Sequence, residues 1–205
     1  MKPYISYSEL KDWKFCPHYH KLTRIDGIDG FTGNEYTAFG TSIHSVCERK
    51  MLKENFDANE YFLSEFEKNL SDLDEDLETN SKLIEQMCVS GAQIIPHIIP
   101  AVEEKFGNYE VVSTEEKLMV PIDGTNYSFK GYVDLVIKTE DGKYHVIDWK
   151  TCSWGWDMRK RTDPMVTYQL TLYKKFFALK HGIDPSNVVT HFALLKRTAK
   201  KDFVE

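Results

Sequence analysis

Apolar residues recur every three or four positions through much of the first half of the chain. Phe39, Ile43, Val46, Cys47 and Met51 follow that spacing and predict an amphipathic helix within 35–53, beginning near Ala38. Residues 57–78 predict a second, acidic amphipathic helix that fades into a polar linker. Residues 81–107 are mostly apolar and predict a long helix kinked at Pro96 and Pro100. Upstream, residues 6–22 predict a helix with Ser6 or Ser8 as its N-cap and Glu9 in the first turn. Leu10, Trp13 and Phe15 are the expected apolar face, and Pro17 should stop or bend that helix. The glycine-rich run 25–35 reads as a loop.

After residue 108 the pattern changes. Three strand-like runs, 109–122, 127–139 and 143–151, are separated by "DGTN" and "EDGK", Asp-Gly turns of the kind that close hairpins. Residues 163–182 predict a helix with Asp163 as cap, Pro164 in first position and Gly182 at its end. Residues 187–197 predict a further strand. This order predicts an α/β protein with a mixed central β-sheet and flanking helices. We read residues 1–205 as one domain, mainly helical over 1–107 and sheet-forming over 108–205.

With 41% hydrophobic and 28% charged residues, the chain has the composition of a soluble, folded protein. It has no run of about 18 apolar residues, so no membrane span is expected. The N-terminus has neither an apolar signal core nor an Arg-rich presequence, so a cytoplasmic location is expected. Cys16, Cys47, Cys88 and Cys152 are widely spaced without a CxxC pair and read as reduced thiols. The net charge of −6 is unevenly spread: residues 1–142 carry −12 and residues 143–205 carry +6. The basic half holds Arg159 to Arg161, Lys174–Lys175, Lys196–Arg197 and Lys200–Lys201. Such a half suits an anionic partner, or simply balances the acidic half as a solvated surface.

The run "YHVIDWKTCSW" (144–154) carries the candidate chemistry. Side chains alternate along a strand, so Asp148 and Lys150 share one face and Trp149 takes the other. Charges on a face that is buried or lines a cleft need a reason to be there. Asp134 ends the apolar run "GYVDLV" on the preceding strand, and the hairpin brings it near Asp148. Two carboxylates beside an ammonium suit a hard divalent cation such as Mg²⁺, which takes oxygen ligands and keeps waters. Lys150 could orient or help deprotonate an attacking water, or stabilise charge in a phosphoryl-transfer transition state.

"GTSIH", "GYVDLV", "VIDWKT" and "YQLTLY", in that order, resemble the RecB-like branch of the PD-(D/E)XK nuclease superfamily. The resemblance runs from "SYSELKDWKFCPHYHKL" to "HFALLKR" and implies a restriction-endonuclease-like core with an N-terminal helical region. It implies that His44, Asp134 and Asp148 hold one or two Mg²⁺ or Mn²⁺ ions and that Lys150 is the catalytic lysine. Gly40 would let the helix approach closely, with His44 facing the cleft and Ile43 packing. The family's further glutamate corresponds to Glu115 by its spacing to Leu118 and Val120, whereas strand parity would put Glu116 on one face with Leu118 and Val120, so either Glu115 or Glu116 is the candidate. Gln169 and Tyr173 match a Q-x3-Y motif, four apart on one helix face, and would hydrogen-bond DNA or a metal-bound water.

The run 154–163 offers Trp154, Trp156, Arg159, Lys160 and Arg161 as a substrate loop for stacking and phosphate contact, or else as a packed Trp pair. Some relatives carry a four-cysteine iron–sulfur cluster. Cys16 matches its first ligand, but no cysteine follows Cys152, so no cluster is expected. The implied function is a free-standing, metal-dependent DNA exonuclease acting on single-stranded or processed ends in recombination, repair or phage DNA metabolism. A recombination or helicase partner is compatible with it, and oligomeric state is left open. The competing classes are a DNA-binding scaffold of the same fold and a structure-specific endonuclease.

Overall fold

A computed structural model of the chain describes residues 3–28 and 32–205; residues 29–31 of the expected glycine-rich loop lie outside the described residues. Helix α3 (Glu35–Met51) starts a turn earlier than its apolar pattern suggested, because Asn34 caps it. The Asn34 side chain accepts from the Tyr36 and Thr37 N–H groups, while the Thr37 hydroxyl accepts from the Asn34 N–H. The predicted face, Phe39, Ile43, Val46, Cys47 and Met51, is buried, each large apolar side chain contributing about 1.5–3 kcal/mol. Helix α4 (Ala58–Ser71) is capped by Asp57 and stops before the acidic run that follows. Its Phe62 and Phe66 meet Phe39 edge to face.

The long helix expected over 81–107 is two helices. Pro96 lacks an N–H, and a 3₁₀ turn at Ile95–His97 separates α5 (Ser81–Ile94) from α6 (Ile98–Phe106). At the N-terminus, a short strand β1 (Tyr4–Ser6), absent from the sequence reading, leads into α1 (Tyr7–Phe15). Ser6 is the cap, accepting from the Glu9 N–H. Pro17 then opens α2 (Pro17–His20), which runs into a π turn at Lys21–Ile25. The expected apolar face of α1 is not a buried face, since Trp13 is 51% and Phe15 80% exposed.

Strands β2 (Tyr109–Pro121), β3 (Ser128–Thr139) and β4 (Tyr144–Cys152) form the expected antiparallel meander. Next come α7 (Met158–Thr162) and α8 (Pro164–His181), and then β5 (Val188–Lys196), which runs parallel to β4. Asp163 caps α8, Pro164 is its first residue and Gly182 ends it in the left-handed region at φ 64°.

The five strands found among the described residues make one mixed sheet. β2 pairs along the whole of β3. The other edge of β3 is shared: β1 pairs in parallel with Ser128–Lys130, and β4 pairs antiparallel with Leu135–Lys138. Residues 131–134 lie between these ladders. Helices α3 to α6 cover one face over Leu135, Ile137, Ile147 and Trp149. Helix α8 covers the other over Leu118, Val120, Val133 and Val146. Among the described residues no helix is long and apolar enough to cross a membrane.

Candidate active site

The β3–β4 ladder runs from Lys138 opposite Tyr144 to Leu135 opposite Ile147 and stops there. Asp134 and Asp148 are the next residue on each strand, at the point where the strands part. Asp134 therefore lies in mid-strand rather than at a strand end. The Trp149 N–H donates to Asp134 Oδ2 at 2.7 Å instead of to a strand carbonyl across the gap.

Side-chain alternation slips at the same level. Val133 packs on the α8 side and Leu135 on the α3 side, although regular pleating would put both on one face. On β2 the slip falls at Glu115, whose φ is 45°, a rare left-handed value for a non-glycine residue. Thr114 pairs with Leu135 and Glu116 with Val133, so Glu115 stands across from Asp134. Glu116 turns to the α8 side, where Lys180 Nζ and His181 Nε2 each lie 2.6 Å from its Oε1. Thr114 turns the other way and donates to Glu48 of α3 at 3.2 Å. Glu116 thus shares the α8 side with Leu118 and Val120, as parity puts it, and so points away from the acids, while the slip leaves Glu115 beside them.

Asp148 is 1% exposed. Its Oδ1 accepts from Gln169 Nε2 at 2.8 Å, and the same amide lies 3.1 Å from the Tyr173 hydroxyl. Lys150 Nζ sits 2.6 Å from Asp148 Oδ2, an ion pair that leaves this oxygen without an aligned hydrogen bond. His44 Nδ1 is 3.7 Å from Asp134 Oδ2. Burial pushes Asp134 up to about 6, against the pull of Lys150 and the Trp149 N–H. Burial likewise raises Asp148 to about 6; Lys150 opposes the rise and the Asp134 charge adds to it. Burial holds His44 down at about 4, so its ring is neutral at neutral pH. Glu115 keeps an open side toward solvent. Local desolvation, followed by the charges of Asp134, Glu48 and Asp148, still pushes it up to about 7. Burial also raises the Tyr173 phenol, which stays neutral.

A cavity of about 440 Å³ opens over this group. Its lining includes His44, Asp134, Asp148, Lys150, Gln169 and Tyr173, with Ser8, Glu9 and Arg24 of the N-terminal segment on another wall. Glu115 does not line the cavity but is charge-coupled to both acids. Gly40 brings α3 near Thr151, yet an added Cβ would sit 3.6 Å from its hydroxyl, an ordinary contact, so close approach does not demand glycine there.

The expected substrate loop lies elsewhere. The Trp156 ring packs on Phe192 at 4.9 Å, and Lys160 Nζ stands 4.7 Å over it. Arg161 donates to the Trp156 carbonyl at 2.8 Å and pairs with Glu205. Trp156 and Arg161 line a separate cavity of about 840 Å³ along α6 and β5. Trp154 and Arg159 are exposed and do not line the acid cavity. Sequence reasoning missed Glu48, although its spacing of four from His44 puts both on one face of α3.

Among the described residues, no three His, Cys, Asp or Glu side chains converge as a ready-made metal group. The donor chemistry nonetheless fits a hard divalent cation. Asp148 Oδ2 is buried without an aligned hydrogen bond, both acids are raised, and His44 is neutral. A cation at this position would offset the negative charge of the two carboxylates alongside Lys150.

A crystal structure of a "putative exonuclease" from Eubacterium rectale superposes with a TM-score of 0.61 at 15% identity, over 99% of this chain and 70% of that one. The structure of SSO0001 matches at a TM-score of 0.33 and 16% identity, over 77% of this chain and 72% of that one. No curated protein matches. The sequence model of one family matches residues 4–201, which spans every strand of the sheet and all the residues at its fork. The chain belongs to the PD-(D/E)XK nuclease superfamily.

Proposed function

We propose that the chain is a metal-dependent DNA exonuclease of the RecB-like branch, acting as one nuclease domain on single-stranded or processed ends. Nucleases of this superfamily typically use divalent metal ions, and DNA is the substrate that membership implies. The observation that carries the reading is the meeting of His44, Asp134, Asp148 and Lys150 at the sheet's fork, backed by Gln169 and Tyr173.

In this reading His44, Asp134 and Asp148 hold Mg²⁺ or Mn²⁺. The ion supplies Lewis acidity toward the phosphodiester and toward water. The protein's own groups do the rest. Tyr173 steadies the Gln169 amide, and Gln169 holds Asp148 Oδ1, so the carboxylate keeps its direction. Lys150 reaches the cavity from beside Asp148, where its ammonium orients the attacking water or stabilises charge on the phosphoryl oxygens. Water oxygen bonds to phosphorus and gives up a proton to the surrounding solvent, the bond to the leaving oxygen breaks, and that oxygen takes up a proton from solvent in turn. Glu115, held near 7 across from Asp134, is a further acid for proton handling at the fork.

The test is digestion of end-labelled linear DNA and closed circular DNA, single- and double-stranded. Loss of linear substrate with circles spared is expected, and the label released gives the polarity. Cleavage of circles would replace the exonuclease with an endonuclease. DNA binding without any cleavage would leave a scaffold of the same fold.

A further inference from the structure

Nothing in the proposed chemistry uses the outer surface of α1, α2 and the π turn, where Phe15 is 80% and Trp13 51% exposed. We propose that this limb, Tyr7 to Ile25, is the docking platform for the unpaired nucleic-acid strand leading out of the acid cavity. Phe15 stacks on a base, and Lys11 and Lys14 meet phosphates. The proposal rests on the nuclease reading for the place of the scissile bond.

Continuity is the first support. Ser6, Tyr7, Ser8, Glu9 and Arg24 line the cavity that contains Asp134 and Asp148. Ser8, Lys11 and Phe15 are spaced i, i+3, i+7 on α1, so one helix face runs from the cavity wall outward. Seven residues of helix cover about 10 Å, enough to follow a strand beyond the bond being cut.

Charge is the second. Residues 7–25 hold four Lys or Arg against Glu9 and Asp12, a net +2 within a first 142 residues that sum to −12. Arg24 is tied to Asp12 at 2.5 Å, Lys21 to Asp26 at 2.5 Å, and His20 to Glu9 at 3.2 Å. The Arg24 pair ties the π turn to α1 and the His20 pair ties α2 to α1, while the Lys21 pair closes the π turn on its own end. Lys11 and Lys14 have no carboxylate partner among the described residues and are exposed. Lys130, which also lines the cavity with its Nζ 4.6 Å over the Tyr4 ring, adds a further positive charge there.

The aromatic rings favour an unpaired strand over a duplex. Base faces are free for stacking only when bases are unpaired. The Phe15 ring rests edge-on against Tyr19 at 6.1 Å, which supports it from within the limb.

The experiment measures fluorescence anisotropy of labelled oligo(dT) in EDTA, so that nothing is cut, for wild type, Phe15→Ala and Lys11→Glu. Lys82→Glu and Val89→Ala on α5 serve as controls of matched chemistry, and thermal melting confirms that each variant is folded. Hydrolysis of bis(p-nitrophenyl) phosphate with Mn²⁺ reads the catalytic centre separately. The limb variants should bind oligo(dT) roughly ten-fold more weakly, while the controls bind as wild type. Lys11→Glu should also flatten the salt dependence. Hydrolysis of the small diester should match wild type. Unchanged oligo(dT) binding in both limb variants overturns the platform, as does a wild type that binds no DNA. A wild type that binds DNA but hydrolyses neither the small diester nor, with Mn²⁺ in place of EDTA, the oligonucleotide refutes the nuclease reading, and binding lost in the limb variants would still support the platform.

Discussion

Asp134 and Asp148 carry like charges where two strands part, and the Lys150 ammonium beside Asp148 does not neutralise both. Each carboxyl is held near 6, above its ordinary 3.8. A raised acid favours the folded state in its protonated form, so its contribution is fully present below pH 3.8 and is lost as pH rises through about 6. At neutral pH without metal, the ionised pair therefore costs stability. Asp134→Asn removes one charge and keeps an oxygen to accept from the Trp149 N–H. We expect this variant to raise metal-free stability near neutral pH, by of order 1–3 kcal/mol in chemical denaturation, and to abolish cleavage. A destabilised Asp134→Asn would mean that Lys150 already compensates both carboxylates.

The fork itself belongs to the elements, because β3 shares one edge between two partners that approach from opposite ends. Gly131 lies in the gap with Tyr173 against it. A Cβ there would stand 2.8 Å from Tyr173 Cε1 and 3.0 Å from Phe129 Cε1. Gly131→Ala should displace the Tyr173 ring, loosen Gln169 and lower activity about ten-fold, with stability falling by about 1–3 kcal/mol. Steady-state kinetics beside a denaturant melt would separate the two effects. What the sequence showed at this scale was local: the Asp-Gly turns, the caps of α8, and the buried face of α3. What it hid depended on distant partners. β1 has three residues and exists through its pairing with β3, far along the chain. The choice between Glu115 and Glu116 turned on a left-handed residue that a regular strand pattern does not contain. Phe15 and Trp13 completed an apolar spacing, but spacing alone could not say that no helix or strand would cover them.

Across the whole molecule, the sheet's fork gathers groups from both covering layers: His44 from α3 on one side, Gln169 and Tyr173 from α8 on the other. A divalent ion bound there should therefore couple the two layers and raise the melting temperature. Protons compete for the same carboxylates, so the Mn²⁺-induced shift should be largest above neutrality and fade as pH falls through about 6. His44 stays neutral until about 4 and does not set that limit. Thermal melts with and without Mn²⁺ across this range check the expectation, and Asp148→Ala should show no shift at any pH. The most direct measurement is cleavage of linear DNA in Mg²⁺, Mn²⁺ or EDTA by wild type and Lys150→Ala. The account predicts cleavage that needs the metal, stops in EDTA and is lost in Lys150→Ala while the variant stays folded. Cleavage that persists in EDTA, or at the wild-type rate in Lys150→Ala, would contradict it.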